Sequence, residues 1–337
     1  MPPPAPNVVT MGEPAGIGGE LTVRAWAHHR AQLQPFFALD DPVRLSEAAK
    51  ACRLTIDIAV IDEPAGAIDA FKDALPIIPL TADTKATMGK PGTSTAKAVL
   101  ESIERAVAYT TGGDAAAMVT NPIQKETLYD AGFGFPGHTE YLADLVGGGM
   151  RPVMMLAGPS LKVVPLTVHV PLRKALDQLT TDAIVEQGTL VVDALRYDYG
   201  IDRPRLAVAG LNPHAGENGK LGNEEIDIII PAAAALKETG AEIIGPIPPD
   251  ALFTPRARTR YDAALCMYHD QALIPVKALD FDHAVNVTLG LPIVRTSPDH
   301  GTALDIAGKG LADPSSLVSA LKMATEISAC RQARRAG

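Results

Sequence analysis

An α/β architecture with a largely parallel core sheet is predicted by three features of this 337-residue sequence. Short apolar, β-rich runs alternate with helix-length stretches, the pattern of strands joined by crossover helices. The first such run leads into a glycine-rich turn, Gly12-Glu13-Pro14-Ala15-Gly16-Ile17-Gly18-Gly19, and then into a helix from about Glu20. The length also exceeds that at which one hydrophobic core stops growing, so two lobes are expected.

The strands are expected at Asn7–Met11, Ala115–Thr120, Pro152–Leu156, Val163–Val168, Arg205–Leu211, Ala263–Tyr268 and Ala284–Thr288. Helices are expected at Thr93–Thr111, stopped by Gly112-Gly113, and at Thr181–Tyr197, Glu224–Glu238 and Pro314–Arg331. The segment Ile274–Thr296 reads as further strands with Gly290 and Pro292 between them. The Pro-rich start, Met1–Pro6, reads as a frayed end. The basic finish, Arg331–Arg335, reads as a solvated helix end. No repeat or low-complexity linker marks a boundary between lobes.

Hydrophobic content of 47% and charged content of 20% fit a soluble globular protein. A formal charge of −9 argues against nucleic acid and anionic membrane, both polyanions. Local donors can still bind a phosphate. Cys52, Cys266 and Cys330 form neither a CxxC pattern nor a disulfide framework, which points to a reducing cytoplasm. The first cationic side chain is Arg24, so the charged region of a signal peptide is absent. No apolar run approaches the roughly 18–20 residues that cross a bilayer.

Several chemical signatures are missing. There is no HExxH, no GxSxG and no P-loop, since Gly89-Lys90 and Gly219-Lys220 lack the upstream glycine and the following Ser or Thr. The first glycine-rich turn is not GxGxxG, because Leu21 takes the last glycine position.

The histidines are more informative. His28 and His29 read as surface residues of an early helix, whereas His169, His214 and His269 each follow an apolar strand. Ligands of α/β sheets bind outside the carboxyl ends of strands, so these three could converge there. Three neutral imidazoles suit zinc or a similar divalent ion and leave a position for substrate. Read singly, each is better explained as a hydrogen-bonded residue of a strand-to-loop turn; the metal reading rests on all three together.

A second group concerns anions. Gly137-His138-Thr139-Glu140-Tyr141-Leu142 opens a helix whose unpaired N–H groups and dipole favour phosphate or carboxylate. The alternative is that Thr139 merely caps a structural helix. Lys277, Asn286 and Arg295 interrupt an apolar segment, either as a shared pocket or as a solvated surface.

Together these segments resemble the 4-hydroxythreonine-4-phosphate dehydrogenase family. The resemblance is carried by Gly12-Glu13-Pro14-Ala15-Gly16-Ile17-Gly18, Gly137-His138-Thr139-Glu140, Leu211-Asn212-Pro213-His214-Ala215-Gly216-Glu217 and Tyr268-His269-Asp270-Gln271. Val285-Asn286-Val287-Thr288-Leu289-Gly290-Leu291-Pro292 and Ser297-Pro298-Asp299-His300-Gly301-Thr302-Ala303 complete it, in family order. It implies an isocitrate/isopropylmalate-dehydrogenase-like fold of two α/β lobes with a cleft between them, and a homodimer. The lobes would be about 1–125 with 297–337, and about 126–296, the second forming the dimer. It also explains the missing Rossmann fingerprint, because that fold binds its nicotinamide cofactor by another route.

The resemblance further implies His169, His214 and His269 as metal ligands, with zinc, cobalt or magnesium as the ion. His138, Thr139, Lys277, Asn286 and Arg295 would contact a small phosphorylated hydroxy-amino acid. NAD or NADP would accept hydride, and the β-keto product would lose CO2 to give 3-amino-2-oxopropyl phosphate, in vitamin B6 biosynthesis. Asp250 and Asp270 are the candidate proton acceptors. Each active site would be shared between subunits, with His269 reaching the metal held by His169 and His214 of the partner subunit. The rivals are a dehydrogenase of a 4-phosphorylated threonate or erythronate and, in another class, a phosphate acyltransferase-like enzyme.

Overall fold

A computed structural model describes residues 4–135 and 137–336. It contains twelve strands: β1 (Asn7–Thr10), β2 (Phe36–Asp40), β3 (Ile58–Val60), β4 (Leu75–Pro79), β5 (Met118–Thr120), β6 (Val153–Ala157), β7 (Lys162–Pro165), β8 (Arg205–Ala209), β9 (Glu242–Ile247), β10 (Ala263–Cys266), β11 (Val285–Leu289) and β12 (Arg295–Pro298). The chain forms two compact units, residues 1–152 with 291–329 and residues 153–290 with 330–337.

In the first unit the strand order is β3-β4-β2-β1-β5-β12, and every pairing is parallel. Its helix Ala96–Gly112 buries Ala96, Val99, Ile103, Ala106 and Val107, a stripe with the three- and four-residue spacing of one helical face. That stripe packs into a core with Val8, Phe37, Leu39 and Met118. Each such aliphatic or aromatic side chain contributes about 1.5–3 kcal/mol when fully buried. Gly113, at φ +86, ends the helix in the left-handed conformation that only glycine adopts cheaply, as the Gly112-Gly113 pair predicts.

In the second unit the order is β11-β6-β7-β10-β8-β9. Strands β7, β10, β8 and β9 are mutually parallel, while β6 runs antiparallel to both β7 and β11. Largely parallel therefore holds, with β6 as the exception. The core packs Leu156, Val163, Ala207, Ala264 and Cys266 against Ala272 and Val276 of the helix His269–Asp280.

Helix Thr181–Tyr197 forms where expected, capped by the Thr180 hydroxyl, which accepts from the Ala183 N–H. Two readings change. Lys277 lies on the helix His269–Asp280 and not on a strand, despite Pro275 within the same helix. The basic finish is not simply solvated: Arg331 pairs with the buried Asp198 at 2.6 Å, and Arg334 reaches Asp202 at 2.8 Å. Of the Pro-rich start, Met1–Pro3 lie outside the described residues. No helix among the described residues is long and apolar enough to cross a membrane.

Candidate active site

In the second unit, β7, β10 and β8 are parallel neighbours, so their carboxyl ends share one edge. Beyond those ends lie His169, His269 and His214. The segment after β7 stays beside the segment after β10, because Leu166 N–H donates to Cys266 O (2.7 Å) and the Thr167 hydroxyl donates to Met267 O (3.2 Å). These two bonds bring the rings of His169 and His269 to a centroid separation of 5.9 Å. Both histidines line one pocket of about 230 Å³ with Thr167, Leu172, Tyr268 and Asp270.

The pair suits a shared ion. With metal–nitrogen bonds of about 2.1 Å, two imidazoles on one ion have centroids on the order of 5–6 Å apart. His269 Nδ1 lies 2.7 Å from Asp270 Oδ1. A carboxylate on one ring nitrogen fixes the tautomer and leaves the other, Nε2, as ligand. Asp270 thus holds the histidine. Asp250, the other proposed proton acceptor, is exposed on the short helix Pro249–Leu252 and does not line this pocket.

His214 sits differently. It opens a run of left-handed backbone: His214, Ala215, Gly216, Glu217, Asn218 and Gly219 all have positive φ, between +43 and +87. For residues with a Cβ, such conformations cost on the order of 1–2 kcal/mol each, so neighbouring contacts must hold them. Glu225 supplies several. Its Oε1 accepts from Leu211 N–H and Asn212 N–H, both at 2.7 Å, and its Oε2 accepts from Asn212 Nδ2 at 2.9 Å. Burial alone would raise this carboxyl, but the hydrogen bonds from Asn212 and Leu211 outweigh it and hold the group below its ordinary range. Gly216 is required here: a Cβ would sit 2.6 Å from Glu225 Oε2.

Among the described residues, no three of His, Cys, Asp or Glu are placed to hold one metal ion. Within one chain the ring of His269 lies beside that of His169. The sharing expected from sequence takes His169 and His214 from one subunit and His269 from the other.

In the first unit, Gly137 is the N-cap of the helix His138–Leu145, so Thr139 is not the capping residue. Lys125 approaches this turn, its Nζ lying 3.4 Å from where a Cβ on Gly137 would stand. His138 Nε2 is sealed from solvent and has no hydrogen-bond partner among the described residues, although other atoms of the residue remain accessible. Arg295, at 5% exposure, donates from Nη2 to the Thr120 hydroxyl at 2.8 Å and from Nε at 3.2 Å. Burial pulls its guanidinium down to about 10, so it remains charged at neutral pH. Desolvation, reinforced by the charges of Arg295 and Lys125, holds the His138 imidazole well below its ordinary range. Lys125 and the Glu140 carboxylate both flank this turn, and the charges of Arg295 and Lys125 keep His138 neutral.

That depression has a measurable consequence. An unfolded histidine titrates near 6.5, so below about that pH the unfolded chain binds a proton that folded His138 resists. The stability from neutral His138 is present above about pH 6.5 and lost as pH falls toward the lower folded value. Urea unfolding should show a shallower acid loss in His138→Asn than in the wild type. Superimposable profiles below that pH would reject this reading.

Of the remaining sequence candidates, Lys277 and the β11 residue Asn286 are both half-buried. His28 is exposed and His29 half-buried at the end of the helix Gly18–His29. Sequence reasoning missed Thr120, the last residue of the buried β5 strand, and Lys125, which opens the short helix after it. It also missed Glu225 and Gln271, whose buried polar roles depend on partners distant in sequence.

Residues 32–324 match the family described as pyridoxal phosphate biosynthetic protein PdxA. A 4-hydroxythreonine-4-phosphate dehydrogenase of Erythrobacter litoralis is 54% identical over 331 residues, covering 98% of each chain. The namesake of Caulobacter vibrioides is 48% identical, covering 97% of this chain and 98% of its own. The crystal structure of 4-hydroxythreonine-4-phosphate dehydrogenase from Klebsiella pneumoniae superposes with a TM-score of 0.86 at 38% identity, over 96% of this chain and 99% of the other. The chain belongs to the pyridoxal phosphate biosynthetic protein PdxA family.

Proposed function

We propose that this protein is an NAD- or NADP-linked, divalent-metal-dependent dehydrogenase. It oxidises 4-phosphooxy-L-threonine to a β-keto acid that decarboxylates to 3-amino-2-oxopropyl phosphate, in pyridoxal phosphate biosynthesis. The family and its named relatives support the reaction. The observation that carries the metal reading is the paired rings of His169 and His269, with Asp270 on the outer nitrogen of His269.

When bound, a divalent ion of the zinc, cobalt or magnesium type would supply Lewis acidity to the C3 hydroxyl and then the new carbonyl, while the nicotinamide accepts hydride. The chain's own residues do the rest. His169, His269 and His214 are the metal ligands, and Asp270 orients His269. His138, Thr139, Lys277, Asn286 and Arg295 bind the substrate, with Arg295 and the amine of Lys125 favouring its phosphate. His138, kept neutral by Arg295 and Lys125, has a ring nitrogen with no hydrogen-bond partner among the described residues. A substrate oxygen would satisfy it.

The third ligand comes from a second copy of the chain. Large apolar side chains are exposed on the segments that follow each histidine: Leu172 and Leu176 after His169, Ile274 after His269, and Ile226 and Ile230 after the His214 loop. Exposed apolar surface, where it is contiguous, marks interaction sites. In a two-fold homodimer they would be covered, and His214 would be delivered to the His169–His269 pair of the partner subunit.

The test follows NADH absorbance with 4-phosphooxy-L-threonine, 4-phosphothreonate and 4-phosphoerythronate in parallel. Turnover should require the first substrate and should disappear on exhaustive chelation, returning when the ion is restored. Full activity in protein shown by metal analysis to be empty would end the metal reading. Preference for a phosphorylated acid without the amine would reassign the substrate.

A further inference from the structure

Two of the proposed ligands leave their strands on segments that a single side chain ties together. Gln271 follows His269 by two residues in the first turn of the helix His269–Asp280, and it is 6% exposed. Its Oε1 accepts from Met267 N–H at 2.6 Å, where the chain leaves β10. Its Nε2 donates to Gly210 O at 2.7 Å, where the chain leaves β8 toward His214. Gly210 N–H in turn donates to Ile247 O at 2.8 Å, and the next two N–H groups go to Glu225.

We infer that Gln271 is a positioning residue that sets His269 and the His214 loop relative to each other. Only a primary amide of this length answers both backbone groups at once, since one end must accept and the other donate. The bridge is buried, where an unanswered carbonyl or N–H costs about 1–3 kcal/mol, so either partner is held firmly in place. The left-handed run His214–Gly219 makes this matter. A strained loop keeps its geometry only while its ends are fixed, and Gln271 and Glu225 fix the first of those ends. Supporting groups of this kind commonly change metal affinity by about 10- to 100-fold when removed.

The inference rests on the metal reading above, and the experiment separates the two. Metal-free wild type, Gln271→Leu, Gln271→Glu and the comparator Tyr261→Phe are titrated with Co2+ by visible absorbance, and each is melted without metal. The comparator removes a buried hydroxyl that donates to Leu252 O at 3.0 Å, away from the histidines. Gln271→Leu should bind Co2+ about 10- to 100-fold more weakly with an altered visible spectrum, and Gln271→Glu, which keeps the acceptor but loses the donor, should fall between. Tyr261→Phe should lower the melting temperature while keeping wild-type affinity and spectrum. If wild type itself takes up no Co2+, the metal reading fails. If wild type binds and the Gln271 variants bind equally well with the same spectrum, the positioning role is overturned, whatever their melting temperatures. Failure of both Gln271 variants to fold would make the residue purely structural and overturn it equally.

Discussion

Mixing His169→Ala with His214→Ala subunits should restore about a quarter of wild-type activity, although each variant alone is inactive. The expectation follows from the placement of the rings. His169 and His269 stand 5.9 Å apart in one chain, while no third ligand joins them among the described residues. If His214 arrives from the second subunit, a mixed dimer has one site lacking both His169 and His214 and one site with all three ligands. Random exchange makes half the dimers mixed, each with one intact site of two, hence about a quarter. Mixing His169→Ala with His269→Ala should instead stay inactive, because each site then lacks one of its paired ligands. Recovery in that second mixture alone would move His269 to the partner, as the sequence resemblance implied. With exchange proven by a tagged subunit, silence in both mixtures would abandon shared sites altogether.

The strands were legible because apolar runs are local, although β7, β8 and β10 end two or three residues before their expected carboxyl ends. β8 and β10 were expected with their first residues correct, and the three histidines fall just beyond β7, β8 and β10. Their mutual arrangement was not legible. It depends on Leu166 N–H meeting Cys266 O, a bond across 100 residues, and on a left-handed loop held by Glu225. The helix His269–Asp280 was read partly as strand because Ile274-Pro275-Val276 looks extended. Pro275 gives up the hydrogen bond to the carbonyl four residues back and crowds that carbonyl, yet the helix continues through it with Ala272 and Val276 buried. Gln271 and Glu225 were invisible for a related reason. A glutamine or glutamate looks like a surface residue until the backbone groups it serves are brought to it.

Arg295→Ala should weaken binding of the phosphorylated substrate by about 10- to 100-fold or more, and leave its dephosphorylated analogue nearly unchanged. A charge-assisted hydrogen bond contributes about 1.5–3 kcal/mol, and each 1.4 kcal/mol is about tenfold in affinity. Arg295 is suited to deliver this because folding has already removed it from water. It is 5% exposed, and burial alone draws its guanidinium down to about 10. Its orientation is also fixed in advance, since the Thr120 hydroxyl accepts from both Nε and Nη2. A phosphate arriving there meets a preset cation with no ordering left to do. Arg295→Lys keeps the charge but loses the planar fork, so its loss should be intermediate. Melting temperatures of both variants would show whether the buried site survives substitution. Dissociation constants for the substrate and its dephosphorylated analogue then decide the matter: equal losses for the two would mean that Arg295 does not read the phosphate.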